Sequence, residues 1–254
     1  MHNDDTPMTI LGLPAERAEA EARGAEGSAR KGVFTTGVIS QAGGRRIALY
    51  ATGPRHAGEN LRALLLGRDR ERAPPVQMCD GLERNLPKEL ETIVGNCVVH
   101  MRRQFVEVAG SFPDEVRYVL EELARAYRTE ARARALPPEE RLALHRQESG
   151  PVMERLRAWM DAQLAQREVE PNSGLGKAIA YARKRWGRLT LFLLAAGAPL
   201  DNNVCERMLK RAILHRKNSL FYKTSNGARV GDLYMGLVAT AKLAGADPFD
   251  YLTE

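Results

Sequence analysis

The chain has 254 residues, of which 44% are hydrophobic, enough for one large domain or for a domain with a substantial insertion. A net charge of +6 and a pI of about 9.4 favour an anionic partner, of which nucleic acid is the commonest. The three cysteines are scattered singly, the amino terminus MHNDDT is acidic, and the longest apolar run is too short to span a bilayer. We therefore expect a protein of the reducing cytoplasm, with no disulfide framework, signal peptide or membrane partner.

The first hundred residues are rich in strand signals. Short apolar, β-branched or aromatic runs predict strands at residues 8–13, 31–40, 45–52, 76–80 and 96–101. Residues 41–44, QAGG, predict a hairpin connection between the second and third of these strands. Residues 15–30 are typical of a polar loop or a frayed helix, and residues 57–68 of a helix. This succession predicts a layered α/β or α+β domain.

The character of the sequence changes at Phe112. Residues 112–170 are rich in arginine and glutamate and are interrupted by prolines, which predicts a set of short helices forming an insertion. A long helix is predicted over residues 174–195 and a last one over residues 226–245, ending at Gly245. The chain accordingly divides into residues 1–111, an insertion over 112–173, and a helical part over 174–254.

The segment LDNNVCERMLKRAILHRKNSLFY, residues 200–222, places one acid among many cations. Asp201 is a good N-cap for a helix from Asn202, and apolar residues recur along it at helical spacing. Glu206 borders that apolar stripe and has two interpretations. It is either the partner of Lys210 in a surface pair contributing roughly 0.3–0.5 kcal/mol, or a metal-binding carboxylate in a phosphate-binding groove.

The second interpretation of Glu206 requires other carboxylates. Asp80 ends a predicted strand, and Asp4 or Asp5 lies beside the first one. Three carboxylates that meet repel one another unless a cation lies among them, and hard oxygen ligands favour Mg²⁺ or Mn²⁺. Two such ions would activate a water or a 3′-hydroxyl for phosphoryl transfer. For Asp80 alone, a simple turn before Gly81 is the favoured interpretation.

Several motifs, in order along the chain, resemble those of the insertion sequence 66 family of transposases. They are HNDDTPMTIL (2–11), QMCDG (77–81), CVVHMRRQF (97–105), DNNVCER (201–207), RKNSLF (216–221) and NGARVGDLYMGLVATAKLAGADPFDYL (226–252). The resemblance implies an RNase H-like α/β fold, a mixed sheet flanked by helices, with a helical insertion between the second and third acids. It also implies metal-dependent DNA cleavage and strand transfer at the ends of a mobile element.

Carried over residue by residue, the resemblance makes Asp4, Asp80 and Glu206 the catalytic acids and the ligands of two Mg²⁺ or Mn²⁺ ions. Asp5 is a secondary candidate for the first acid. The DNA-binding candidates are the cations that accompany these motifs, Arg102, Arg103, Arg207, Lys210, Arg216 and Lys217. For each of them a solvated basic face is the competing interpretation. The resemblance further implies DNA as partner, a homo-oligomer on paired DNA ends, and accessory proteins of the element.

The chain departs from the family pattern at its start. Asp4 follows Met1 by three residues, so we expect most of the central strand to be missing, and the family's amino-terminal DNA-binding region has no counterpart here. The alternatives are therefore an inactive remnant that binds DNA or a transposase partner, and, more distantly, a resolvase-like nuclease. Cys97 and His100 have the spacing of half a zinc site, but packing is favoured for them.

Overall fold

The computed structural model describes residues 1–23, 30–69 and 71–253. The chain forms two compact units. The first contains Met1–Gln77, Leu82–Thr92 and Asn203–Glu254, and the second contains Met78–Gly81 and Ile93–Asn202. The prediction of an α/β protein is confirmed, since strands and helices alternate through the first half of the chain and helices make up the second.

The strands are β1 (His2–Met8), β2 (Val33–Ala42), β3 (Arg45–Gly53), β4 (Val76–Cys79) and β5 (Ile93–Asn96). They form a mixed sheet of five strands in the order β3-β2-β1-β4-β5, with β1 in the middle. The pairs β1/β2 and β2/β3 are antiparallel. The predicted hairpin is confirmed, because Gly43 and Gly44 have φ angles of 55° and 77°, the values that a tight two-residue turn requires.

The first strand differs from its prediction. It covers His2–Met8 rather than residues 8–13, and Ile10 makes only an isolated bridge to Tyr222. All seven of its residues pair with β2, so the expectation that most of the strand would be missing was wrong. Its polar start is stable in the interior because Asn3 is hydrogen-bonded, donating to the carbonyl of Asn85 at 2.7 Å and accepting from Gln77 at 2.9 Å.

The helices of the described residues alternate with the strands and then follow them. They are α1 (Leu13–Ala22), α2 (Ala57–Leu66), α3 (Val98–Val106), α4 (Pro113–Ala133), α5 (Pro138–Leu144), α6 (Gly150–Ala165), α7 (Gly174–Lys184), α8 (Trp186–Leu189), α9 (Asn203–Ser219), α10 (Ser225–Leu243) and α11 (Pro248–Thr253). Helix α1 occupies part of the predicted polar loop, whose residues 24–29 lie outside the described residues. Helix α9 begins at Asn203, one residue later than predicted.

Two predictions for the second unit were wrong. Residues 98–101 belong to helix α3, not to a strand, because Val98, Met101 and Phe105 form a buried stripe at helical spacing. The long helix predicted over residues 174–195 ends at Lys184, since Arg185 leaves the helical conformation with φ −108° and ψ 7°. The predicted helical character of residues 112–170 is confirmed by α4, α5 and α6, each with a proline in its first turn.

Each unit buries an apolar core. In the first, one face of the sheet packs against α9 through Ile39, Ala48, Tyr50, Cys205, Met208, Leu209 and Ala212. Its other face packs against α2 through Val38, Leu61 and Leu65. The largest buried side chains of the second unit include Phe105, Leu123, Leu156, Leu175 and Ile179. No helix within the described ranges is long and apolar enough to cross a membrane.

Candidate functional site

Asp4 lies on the face of β1 that is covered by α9. Successive side chains of a strand point to opposite faces, and Thr6, two residues further along, accepts a hydrogen bond from the α9 residue Arg216 at 3.2 Å. The Asp4 carboxylate is half-buried and accepts from the backbone N–H of Asp5 at 2.8 Å and from the side-chain amide of Asn85 at 3.4 Å. This acid is therefore held by the central strand.

Glu206 lies in the first turn of α9, where the helix dipole favours a negative charge. The preceding residue, Cys205, is fully buried on the side of α9 that packs against the sheet. Burial raises the pKa of the Cys205 thiol well above its ordinary value, and the nearby charges of Asp4 and Glu206 raise it further. Asp4 pairs with Gly37, and the Cys205 thiol donates to the carbonyl of Gly37, so the first unit places the residue before Glu206 against the strand position beside Asp4.

The side chain of Asp5 points to the opposite face of β1 from that of Asp4. Its carboxylate is 1% exposed and lies 3.3 Å from the guanidinium of Arg84 and 3.1 Å from the ring of His56. The backbone N–H of Ala57, in the first turn of α2, also donates to it at 3.4 Å. The secondary candidate thus joins the start of α2 to the sheet, away from Cys205 and Glu206.

Asp80 directly follows β4, in the second unit. The side-chain amide of Asn96 donates to its backbone carbonyl at 3.2 Å, and the guanidinium of Arg185 donates to the carbonyl of Gly81 at 3.4 Å. A Cβ at Gly81 would lie 2.3 Å from Arg185 Nε, so a larger residue would require the Arg185 side chain to move. Burial raises the pKa of the neighbouring Tyr181, Arg185 opposes this, and the charge of Asp80 adds to it. The second predicted acid therefore occupies a fixed turn.

The six DNA-binding candidates differ in how they are used. Arg102 and Arg103 are exposed on α3, and Arg207, Lys210 and Lys217 are exposed on α9. Arg216 is half-buried and donates to Thr6 and to the carbonyl of Pro7, so it joins α9 to β1. Five of the six are therefore accessible to a phosphate backbone.

Cys97 has a structural environment within the second unit. Its side chain is 1% exposed and its Sγ accepts from the backbone N–H of Asn202 at 3.2 Å. Its own N–H donates to the carbonyl of Cys79 at 3.0 Å. All three cysteines, Cys79, Cys97 and Cys205, are buried.

Sequence reasoning did not identify Gly37 or Tyr50, which hold α9 against the sheet. Gly37 pairs with Asp4 in the β1/β2 register. The hydroxyl of Tyr50 donates to the carbonyl of Met208 on α9 at 2.7 Å. The available signal was a glycine inside a β-branched run, a pattern that often marks the close approach of another backbone or side chain.

The chain belongs to the Transposase IS66 family, whose model matches residues 1–230. This confirms the resemblance on which the candidate acids were chosen.

Similar curated proteins come from Sinorhizobium fredii (strain NBRC 101917 / NGR234). The uncharacterized protein y4jD is 33% identical over 162 residues, 62% of this chain and 31% of that protein. The uncharacterized protein y4qI is 29% identical over 170 residues, 65% of this chain and 30% of that protein. The chain thus matches about a third of each relative's length. No solved structure matches it.

Proposed function

We propose that this chain is the catalytic core of a DDE transposase, which cleaves DNA at the ends of a mobile element and joins those ends to a target. The observation that carries the proposal is that Asp4 pairs with Gly37, whose carbonyl accepts from Cys205, the residue directly before Glu206, in a chain of the IS66 family. Asp80, after β4, is the second acid of the triad. An RNase H-like fold, with residues 112–173 as its insertion, is part of the proposal and is supported by the central position of β1.

The donor set fits a divalent cation. Asp4 and Glu206 supply hard carboxylate oxygens, and both are half-buried on one side of the sheet. Two carboxylates that act on the same thiol also repel each other, and a cation would offset that repulsion. Asp4, Asp80 and Glu206 would hold two Mg²⁺ or Mn²⁺ ions, which activate a hydroxyl or water nucleophile and stabilise the leaving oxygen of a phosphodiester when bound.

The exposed cations near these acids are the proposed DNA-binding residues. Arg207, Lys210 and Lys217 project from the helix that carries Glu206, and Arg102 and Arg103 project from α3. Their side chains would bind the DNA backbone through charge-assisted contacts that carry no sequence information. DNA is therefore the proposed partner, and assembly on paired ends, with accessory proteins of the element, belongs to the same proposal.

Calorimetry with Mn²⁺ tests the proposal, using the wild type, Asp4→Asn, Asp80→Asn and Glu206→Gln. Asp114→Asn is the matched control, because Asp114 is an exposed acid whose side chain is 78% accessible. We expect specific binding in the wild type and the control, and its loss in the other three. Nicking of supercoiled DNA in Mn²⁺ should fall at least about a hundredfold in Glu206→Gln while DNA binding persists. DNA binding by the wild type without Mn²⁺ binding or nicking would instead support the inactive remnant.

A further inference from the structure

Gly37 lies directly beneath the helix that carries Glu206. It is in the middle of β2, paired with Asp4 on one side and Tyr50 on the other. A Cβ at this position would come 2.4 Å from Met208 Cε and 3.0 Å from Leu209 Cδ2. Met208 Cε is the end of a flexible side chain, but that side chain is buried in the core between α9 and the sheet, so an added methyl requires Met208, Leu209 or α9 itself to shift.

Two hydrogen bonds hold α9 at this depth. The thiol of Cys205 donates to the carbonyl of Gly37 at 3.4 Å. The hydroxyl of Tyr50, on the next strand, donates to the carbonyl of Met208 at 2.7 Å. Burial raises the pKa of Tyr50, so its hydroxyl keeps its proton and remains a donor throughout the neutral range. The two bonds link β2 and β3 to the first two turns of α9.

We infer that Gly37 and Tyr50 are positioning residues, which set the distance between Asp4 and Glu206 by fixing how closely α9 approaches the sheet. Asp4 pairs with Gly37, and Glu206 directly follows Cys205, which is bonded to Gly37. Any outward shift of α9 at Gly37 therefore separates the two acids. The inference deepens the proposed function and rests on it for its metal-binding consequence, whereas the position of α9 itself does not depend on it.

The overlap created by a methyl at Gly37 is large on the scale of a catalytic site. Ordinary van der Waals contact of a Cβ begins near 3.4 Å, so a methyl at Gly37 overlaps Met208 Cε by 1.0 Å. A metal or catalytic constellation tolerates roughly 0.5 Å of displacement, and about 1 Å of misplacement costs on the order of a hundredfold in rate. Gly37→Ala should therefore disrupt the paired acids without removing either one.

The test uses four variants and two measurements. Gly37→Ala adds the overlapping methyl, and Gly37→Ala/Met208→Ala removes the side chain with which it collides. Gly53→Ala is the matched control, since Gly53 is also a strand glycine and has no atom within 4 Å of an added Cβ. Tyr50→Phe deletes one hydrogen bond with little change in shape. The measurements are the Mn²⁺ dissociation constant and the alkylation rate of Cys205 by iodoacetamide, with Cys79 as the internal reference.

We expect Gly37→Ala to weaken Mn²⁺ binding and accelerate Cys205 alkylation, each by about tenfold or more. The double variant should restore both values toward wild type, Gly53→Ala should change neither, and Tyr50→Phe should give a smaller change in the same direction. Thermal melting confirms that each variant is folded, and Tyr50→Phe carries the test if a Gly37 variant does not fold.

Different failures have different meanings. If the wild type binds no Mn²⁺, the proposed function fails, and Cys205 alkylation alone decides the positioning inference. Wild-type alkylation in Gly37→Ala, or in Tyr50→Phe where the glycine variants do not fold, overturns the inference. The inference is also overturned if Gly37→Ala/Met208→Ala folds but its Cys205 alkylation rate does not return toward the wild-type value.

Discussion

Asp4 and Asp5 are adjacent in the sequence, but their carboxylates lie on opposite faces of the same strand. Asp4 faces α9, where it and Glu206 raise the pKa of Cys205 in addition to burial. Asp5 faces α2, where it is 1% exposed and lies within 3.3 Å of Arg84 and 3.1 Å of His56. The alternation of the strand thus gives two neighbouring acids different roles, one toward a candidate metal site and one toward stability.

The two acids can be separated by matched substitutions. Asp4→Asn should abolish Mn²⁺ binding and leave the free energy of unfolding unchanged or slightly higher, because it removes a repulsion between carboxylates. Asp5→Asn should lower the free energy of unfolding by about 2 kcal/mol, because it weakens charge-assisted hydrogen bonds to a buried carboxylate. Urea denaturation and calorimetry on both variants check this, and the reverse pattern would assign the first acid to Asp5.

The exposed cations of α9 should contribute to DNA affinity in a salt-dependent manner. Arg207→Ala, Lys210→Ala and Lys217→Ala should each weaken binding and reduce the slope of log affinity against log salt by about one. Lys242→Ala, an exposed cation near the end of α10, is the control and should leave the slope unchanged. Fluorescence anisotropy with a short duplex over a range of salt concentrations measures the slope. Equal slopes in all four variants would exclude α9 as the DNA-contacting helix.

Arg216 should behave differently from the other cations of α9. Its guanidinium donates to Thr6 at 3.2 Å and to the carbonyl of Pro7. Arg216→Ala should therefore lower the free energy of unfolding by about 1–2 kcal/mol, because it leaves these strand groups without a donor. Thermal denaturation beside Lys217→Ala, an exposed neighbour, measures the difference. Equal stability of the two variants would show that Arg216 is available to bind DNA instead.

The sequence predicted the elements whose local signals agree with their tertiary environment. The β2/β3 hairpin has a turn of two glycines, and α9 has an apolar stripe whose members Cys205, Met208 and Ala212 are all buried. It failed for β1, because Asn3 and Asp4 have low strand propensity and their burial depends on hydrogen bonds from Gln77 and Asn85. Those partners are more than seventy residues away, so no local pattern reports them.

In the candidate site, too, residues with local sequence signals were predicted and a residue that depends on distant contacts was not. Glu206 was identified by its setting among cations and by the family motif, both of which are local. Gly37 was missed because its importance comes from the side chain of Met208, which lies far away in the sequence and comes within 2.4 Å of a Cβ at that position. Positions defined by the absence of a side chain become visible only when the packing around them is known.

Asp232 stabilises the edge strand β3, and its contribution to the free energy of unfolding depends on pH. On α10, its carboxylate accepts from the backbone N–H and the hydroxyl of Thr52, both at 2.6 Å. This satisfies a donor of the edge strand β3. Burial raises the pKa of Asp232, and the hydrogen bonds from Thr52 offset that only in part. The folded state therefore favours the protonated form more than the unfolded chain does.

The sign of the pH dependence follows from this raised pKa. The contribution of Asp232 to stability is fully present below the ordinary aspartate pKa of about 4 and is lost as pH rises through the folded value. Asp232→Asn should abolish this decline, because its amide can donate to Thr52 Oγ1, whose own proton can turn to Thr35 at 2.8 Å. Urea denaturation across this pH range compares the two, with Asp250→Asn as the exposed control. Parallel curves for wild type and Asp232→Asn would contradict the prediction.

A buried polar network in the second unit should show the opposite pH dependence. His145 and Ser149 bound a short π-helical segment, and the His145 ring lies 3.0 Å from Ser149 Oγ and 2.9 Å from the Glu130 carboxylate. Arg141 donates to both oxygens of Glu130 at 3.0 and 2.9 Å. Burial opposes the ionisation of Glu130, but these partners outweigh it and hold its pKa below the ordinary value.

The network's contribution is therefore present above the ordinary glutamate pKa and is lost as pH falls through the lower folded value. Glu130→Gln should lower the free energy of unfolding by about 3 kcal/mol at neutral pH, because it leaves Arg141 without its carboxylate in a mostly buried site. The difference from wild type should shrink in acid. Glu139→Gln, an exposed acid on α5, is the control. A loss in Glu130→Gln that stays constant into acid would mean that shape, and not charge, holds the π-helical segment in place.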